Sequence, residues 1–485
     1  YNMEKPYLTE PGVKYFINET LKQCHITKDR YYNIAFNVFA LITFLIVIGS
    51  ILNYKYKGAM DISEKIKREN DKKKYILGQI QKMQTLEKNT EGIQQMTLAM
   101  ISSNLEATQI RRAELEKRIR DQVAACAPLT QSYVDPMLVI SEAKLRDNAR
   151  RFMSALPRVR PHFAVKANPD PRILAIFKEE GTCFEVASIA ELDAMHDLGV
   201  EMETVFYSNP IKSPASVKHA VSLGVQWYVV DSPEEVVKIG KIKQDAKLYL
   251  RIDVSNEGSV WPLSGKFGAS KSGAYAVIDK AAELGMAITG ITFHVGSQCV
   301  NPDNWIEGIR SAKAAFSALE AKGWTPELLN IGGGYPVEFS ESDPSIEDIG
   351  RLISKELDSI PSSIQIMGEP GRFLVGSAGC LLTQVIGVAS RDEKRWLYLD
   401  TGFYGGLMEV ADKFPCTIVS QRTGEAATWA LAGPTCDSID VLGDHSLPSN
   451  IQVEDVLFMP NSGAYSTTCA CDFNGFPVAE IVVVD

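Results

Sequence analysis

Four short stretches carry residue types that could do chemistry together. The first is Ala164-Val165-Lys166, a lysine at the end of an apolar run. A lysine in a mostly closed, desolvated mouth is expected to have a lowered pKa and to form Schiff bases. The second is Phe293-His294-Val295-Gly296-Ser297, where an imidazole could stack on a flat ring or be a satisfied core histidine. The third is Gly332-Gly333-Gly334, three glycines whose N–H groups could close around an anion. The fourth is Glu369-Pro370-Gly371-Arg372, which adds a glycine, a guanidinium for phosphate and a carboxylate.

The elements around these stretches say why they should converge. Strands are expected at 162–167, 184–188, 204–208, 227–231, 248–253, 288–295, 328–331 and 364–369. Amphipathic helices are expected between them, at 172–180, 190–198, 214–223, 233–242, 273–284, 304–322 and 346–357. Strand and helix in eightfold alternation predict an α/β fold, a (β/α)8 barrel of the TIM type; a doubly wound sheet is the alternative. In such barrels the active site lies at the C-terminal ends of the strands, and phosphate often binds after strands seven and eight. The four stretches fall on strand ends one, six, seven and eight. A lysine, a stacking ring, an anion cup and a carboxylate to keep a pyridine nitrogen protonated together specify pyridoxal 5'-phosphate.

These residues are similar to the ornithine/diaminopimelate decarboxylase family of fold-type III pyridoxal-phosphate enzymes. The motifs are Phe163-Ala164-Val165-Lys166-Ala167-Asn168, Phe293 to Cys299, the glycine run, Glu369 to Arg372, Gly433-Pro434-Thr435-Cys436-Asp437 and Gly463-Ala464-Tyr465. The stretch Gly258-Ser259-Val260-Trp261-Pro262-Leu263 looks like the bacterial ornithine/lysine branch. The resemblance covers about residues 135–485. It implies decarboxylation of a basic L-amino acid to a diamine, ornithine before lysine. It also implies roles. Lys166 would carry the cofactor and His294 would stack on its ring. Ser297, Gly332, Gly333, Gly334, Gly371, Arg372 and Tyr465 would surround its phosphate. Glu369 would pair with the ring nitrogen, with Arg251 close by. Cys436 would return a proton to the substrate, and Asp437 would bind its distal amine. Both would reach the site from a second copy, so a homodimer with shared sites is implied.

Two departures from the family pattern stand out. Glu185 occupies a cofactor-binding position where the family usually has Asp. The segment 402–412 is one residue shorter than in the eukaryotic ornithine enzymes, which leaves the substrate-contacting acid unassigned, with Asp412 and Glu409 both candidates. Asp437, short and anionic, suits an ammonium. An alanine-racemase-like enzyme shares the barrel and lysine but lacks the Gly-Pro-Thr-Cys-Asp motif. A catalytically silent binding homologue would have shed cofactor residues that this chain retains.

The rest of the chain divides around the barrel, placed at 141–375. Residues 128–140 join the helix-poor 376–485 as an all-β domain. Residues 34–52 are uncharged, with one amide at Asn37, and about 20 apolar residues span a bilayer. A transmembrane helix is expected there, within an N-terminal segment 1–58; a buried core helix or a cleaved signal peptide are the alternatives. More Lys and Arg follow the run than precede it, which puts the enzyme on the cytoplasmic side. Residues 59–127 read as a long helix, a loose coiled coil or a solvated linker, with apolar steps such as Ile110, Leu115 and Ile119. Whether these N-terminal zones form a tethered structural element, and whether they join the enzyme naturally, stays open. A net charge of -10 argues against a nucleic-acid partner. Nine scattered cysteines show no zinc spacing, so no metal is expected and the thiols read as reduced.

Overall fold

A computed structural model describes residues 90–485. The expected membrane segment 34–52 and the first part of the expected linker lie outside the described residues. No helix among the described residues is long and apolar enough to cross a membrane.

The described chain opens with helix α1 (Thr90–Cys126). From Arg111 onward a single stripe of this helix turns inward, carrying buried Leu115 and Cys126, while Leu105 and Ile110 stay exposed. The steps read as a coiled-coil seam are therefore, over this stretch, one face docked on the rest of the chain. Strand β1 (Met137–Ser141) and helix α2 (Glu142–Ala155) follow.

The barrel begins at β2 (Val159–Ala164). It continues through β3 (Cys183–Val186), β4 (Phe206–Tyr207), β5 (Trp227–Val230) and β6 (Lys247–Arg251). A small ribbon pairs β7 (Ser259–Trp261) with β9 (Ser297–Cys299), and β8 (Ile288–Thr292) lies between them in sequence. Strands β10 (Leu328–Asn330) and β11 (Gln365–Gly368) complete the ring. The eight strands β2, β3, β4, β5, β6, β8, β10 and β11 pair in parallel, and β11 closes back on β2.

Helices between the strands start where the sequence dictates. Ser188, Ser213, Ser232, Ser270 and Ser345 each accept a backbone N–H at a helix start, and Pro171, Pro214 and Pro233 sit in first turns. These side chains satisfy donors that the helix cannot, and they stop the preceding strand.

Alternation decides which side chains fill the barrel. Phe206, Trp227, Val229, Tyr249, Leu328 and Met367 form one interior cluster. Their strand neighbours Tyr207, Tyr228, Val230, Leu248 and Leu250 join the larger core against the helices. Gly290 leaves room for this interior: a Cβ there would lie 2.7 Å from that of Tyr249.

After β11 the chain forms an eight-stranded sheet. Its members are β1, β12 (Gly379–Arg391), β13 (Lys394–Leu399), β14 (Val419–Ser420), β15 (Ala426–Ala432), β16 (Val441–Pro448), β17 (Val456–Pro460) and β18 (Glu480–Val484). β1 runs antiparallel to β12 and parallel to β18.

Candidate active site

The expected first strand stops at Ala164, three residues early. Val165–Ala167 form a turn of 3-10 helix, and this turn carries Lys166 to the mouth of the barrel. A cleft of about 470 Å³ opens there, lined by Lys166, Glu185, Arg251, His294, Ser297, Gly334, Glu369, Gly371, Arg372 and Tyr465 among others. Residues from six barrel strand ends thus share one cavity.

Lys166 Nζ donates to Glu185 Oε2 at 3.1 Å. Burial alone would depress the ammonium, but Glu185, Tyr465, Glu369 and Glu191 outweigh it and hold its pKa above the usual lysine value. The lowered pKa expected from desolvation is therefore reversed by the acids that surround the group. Glu185 shifts upward as well, through its own burial and the neighbouring carboxylates. The extra methylene that distinguishes Glu185 from the family's usual Asp belongs to the side chain that meets Lys166.

His294 is neutral. Burial first, then the positive charge of Arg251 and Lys166, pushes its pKa well below the ordinary histidine value. The N–H of Gly296 donates to Nδ1 at 3.0 Å, so the ring proton sits on Nε2. Glu369 Oε1 accepts from Ser208 Oγ at 2.8 Å and from Asn330 Nδ2 at 2.6 Å, which fixes the carboxylate across the cavity. Arg251 lies with its guanidinium 5.5 Å from the Phe267 ring, and burial lowers its pKa.

The anion cup is built by close backbone approach. Gly334 has φ +96°, and a Cβ there would fall 2.3 Å from the carbonyl oxygen of Gly296. Gly332 and Gly333 stand behind it, against the backbone of Phe293 and Glu369, and do not line the cavity. Arg372 is sandwiched between Phe414 and Tyr465, 4.1 and 4.8 Å from their ring centres. Its Nη2 donates to Ser297 Oγ at 3.3 Å, and both terminal nitrogens bind Glu409, at 2.9 and 2.6 Å.

The structure separates the two candidate substrate acids. Asp412 is exposed beyond the short helix α3 (Met408–Ala411) and does not line the cleft, whereas Glu409 does. Cys436 and Asp437 are also exposed and outside the cleft of their own chain. Their turn is firmly made: Asp440 accepts from the N–H of Phe403 and from the N–H and hydroxyl of Thr435, and Asp437 accepts from Tyr404 at 2.6 Å.

Ser208, Asn330 and Glu191 escaped the reading of the sequence. Ser208 ends the expected third strand and Asn330 lies near the end of the seventh, so the strand-end rule could have found both. Glu191, at the start of a helix, carried no such mark.

The residues present fit a phosphorylated pyridine. Arg372 Nε and Glu185 Oε1, on two side chains that line the cleft, are buried polar atoms with no hydrogen-bond partner. A Cβ on Gly371 would press on Ala167 and on the Tyr465 hydroxyl, so only glycine keeps that wall thin.

Comparison with known proteins agrees with this geometry. The family described as "Pyridoxal-dependent decarboxylase, pyridoxal binding domain" matches residues 142–376. The lysine/ornithine decarboxylase of Selenomonas ruminantium is 32% identical over 354 residues, which is 72% of this chain and 90% of that protein. The chain belongs to the fold-type III pyridoxal-phosphate decarboxylase family. Within this family, the crystal structure of lysine/ornithine decarboxylase complexed with putrescine from Vibrio vulnificus superposes with a TM-score of 0.69 at 29% identity. The superposition covers 75% of this chain and 98% of that one. Antizyme inhibitor 2 of Xenopus laevis is also similar, at 33% identity over 351 residues, 68% of this chain and 77% of that protein.

Proposed function

We propose that the chain removes carbon dioxide from a basic L-amino acid, ornithine first and lysine second, and releases the diamine. The observation that carries this reading is the convergence of Lys166, His294, Glu369 and Arg372 on one cleft that Glu185 and Glu409 also line. Pyridoxal phosphate, once bound, supplies the sink for the electron pair that the departing carbon dioxide leaves behind.

The chain's own residues do the rest. Lys166 holds the cofactor covalently after giving up its proton, and Glu185 at 3.1 Å is placed to receive it. His294, uncharged, offers a ring face rather than a charge. Glu369, held by Ser208 and Asn330, fixes a proton on the pyridine nitrogen. Ser297, Gly334, Gly371, Arg372 and Tyr465 close around the phosphate.

Cys436 delivers a proton to the former α-carbon, and Asp437 binds the distal ammonium. Both stand outside their own cleft, so they act in the cleft of a second copy and the working unit is a homodimer. Glu409 is the acid this cleft offers in place of Asp412. Residues 34–52 are proposed as a membrane anchor that leaves the enzyme on the cytoplasmic side; their lack of charge supports this.

Separate incubations with ornithine and lysine, with the diamines quantified, test the reading. Putrescine formed faster than cadaverine is the expected result. Cofactor bound with no carbon dioxide released from either would instead favour a silent homologue, the kind of protein that Antizyme inhibitor 2 names.

A further inference from the structure

Helix α1 lies N-terminal to the residues matched by the family, which begin at 142. Its inward stripe meets the barrel at three polar points. Arg111 pairs with Asp348, which caps the helix Ile346–Asp358. Arg118 Nη2 binds Glu338 Oε2 at 2.9 Å. Gln122 donates to the carbonyl oxygen of Ser377.

Two of these points are the outer ends of the loops that form the anion cup. Glu338 follows the glycine run by four residues, and that segment is laced to Gln298 and Cys299, the residues next to Ser297 in β9. The N–H of Cys299 donates to the carbonyl of Gly334 at 2.9 Å. Gln298 exchanges two hydrogen bonds with the backbone of Val337, at 3.0 and 2.6 Å. Ser377 ends the segment that begins at Arg372, and Asn148 Nδ2 secures it by donating to Leu374 O at 2.9 Å and to Ser377 Oγ at 3.0 Å. The two segments touch: a Cβ on Gly376 would come within 2.7 Å of the Val337 side chain. Between α1 and these segments lies a cavity of about 260 Å³, lined by Leu115, Ile119 and Phe373, so the helix is held there by its polar anchors more than by close packing.

We propose that α1 is a brace for the phosphate cup, with Arg118 and Gln122 as positioning residues that hold the Gly334 and Arg372 loops together from behind. The brace rests on the cofactor reading above. It sets how tightly the phosphate is gripped and leaves the chemistry to other residues.

The full chain is titrated with pyridoxal 5'-phosphate and, separately, with pyridoxal, which lacks the phosphate; tryptophan fluorescence gives each Kd. Arg118→Glu should weaken the phosphorylated ligand about fivefold and leave pyridoxal unchanged, a size set by one partly exposed ion pair. The swap Arg118→Glu with Glu338→Arg should restore the affinity. Equal Kd values in wild type and variant, or parallel loss for both ligands, would overturn the brace. Should Arg118→Glu fail to fold, Arg118→Gln is read in the same way against the same two outcomes. A wild-type chain that binds neither ligand overturns the cofactor reading itself, a result distinct from a wild type that binds and a variant that binds as well.

Discussion

Lys166, His294 and Glu369 are held by backbone that one chain folds around them, while Cys436 and Asp437 stand on an exposed turn outside that chain's cleft. The two groups differ in what surrounds them. The first lines the cleft, and there desolvation together with neighbouring charge shifts the pKa values of Lys166 and His294. The second is solvent-facing, and the one clear shift there is the lowered pKa of Asp437, caused chiefly by the Tyr404 hydroxyl. A cofactor needs a fixed, dry seat that a single fold can build. The groups proposed to finish the reaction are delivered only when two copies meet, so binding and turnover should separate under mutation.

The largest effect should come from the group that lines the cleft. Lys166→Ala should lose turnover by on the order of a thousandfold or more, and with it the visible absorption of covalently held cofactor, while circular dichroism stays unchanged. Retention of a borohydride-reducible cofactor in that variant would break the assignment. Next, Cys436→Ala should keep the cofactor band and lose about a hundredfold in turnover, with more pyridoxamine phosphate formed per diamine; Cys183→Ala should do neither. If the sites are shared, mixing Lys166→Ala and Cys436→Ala proteins should recover about a quarter of wild-type activity through mixed dimers, each with one intact cleft. No recovery after subunit exchange would place both groups in one chain.

Ser208→Ala should cost about tenfold in turnover, because it removes a charge-assisted hydrogen bond from Glu369 without emptying the cleft. The smallest effect on catalysis concerns acid stability. Burial holds His162 down to about 3 and His294 well below its usual value. Both folded-state values lie beneath the unfolded value near 6.5, so the unfolded chain takes up protons first. Stability present above pH 6.5 is lost as pH falls. Denaturant melts at pH 7 and pH 5 should differ by about 2 kcal/mol per such histidine, and His162→Phe should remove one share. Identical differences in wild type and variant would mean His162 titrates normally.

Much of the barrel was legible because its signals are local. Val229 and Val230, or Leu248 and Leu250, belong to short apolar runs that a strand buried on both faces requires, and Pro214 or Ser232 marks the next helix. The cofactor side of the site was legible because barrel topology turns a strand end into a position. What the sequence hid depends on non-local geometry. Asp412 and Glu409 differ by three residues, and only the short helix between them decides which faces the cleft. The direction of the Lys166 shift depends on four neighbours from separate elements. Helix α1 reads as a spacer because its inward stripe mixes Leu115 with Arg111, Arg118 and Gln122, whose partners lie more than 200 residues away.

Strand β1 has a consequence for how the molecule is made. Met137 pairs with Leu382 on one side and with Glu480 on the other. Because a ribosome releases the chain from its N-terminus, β1 emerges before the barrel, and one of its two edges must wait for a strand that follows the whole barrel in sequence. Until Glu480–Val484 has cleared the exit tunnel, a row of unpaired amides and carbonyls stays open to any passing strand. A nascent chain stalled before Glu480 would therefore carry a finished barrel and a sticky seam beside it, and the strand Glu480–Val484 would close that seam.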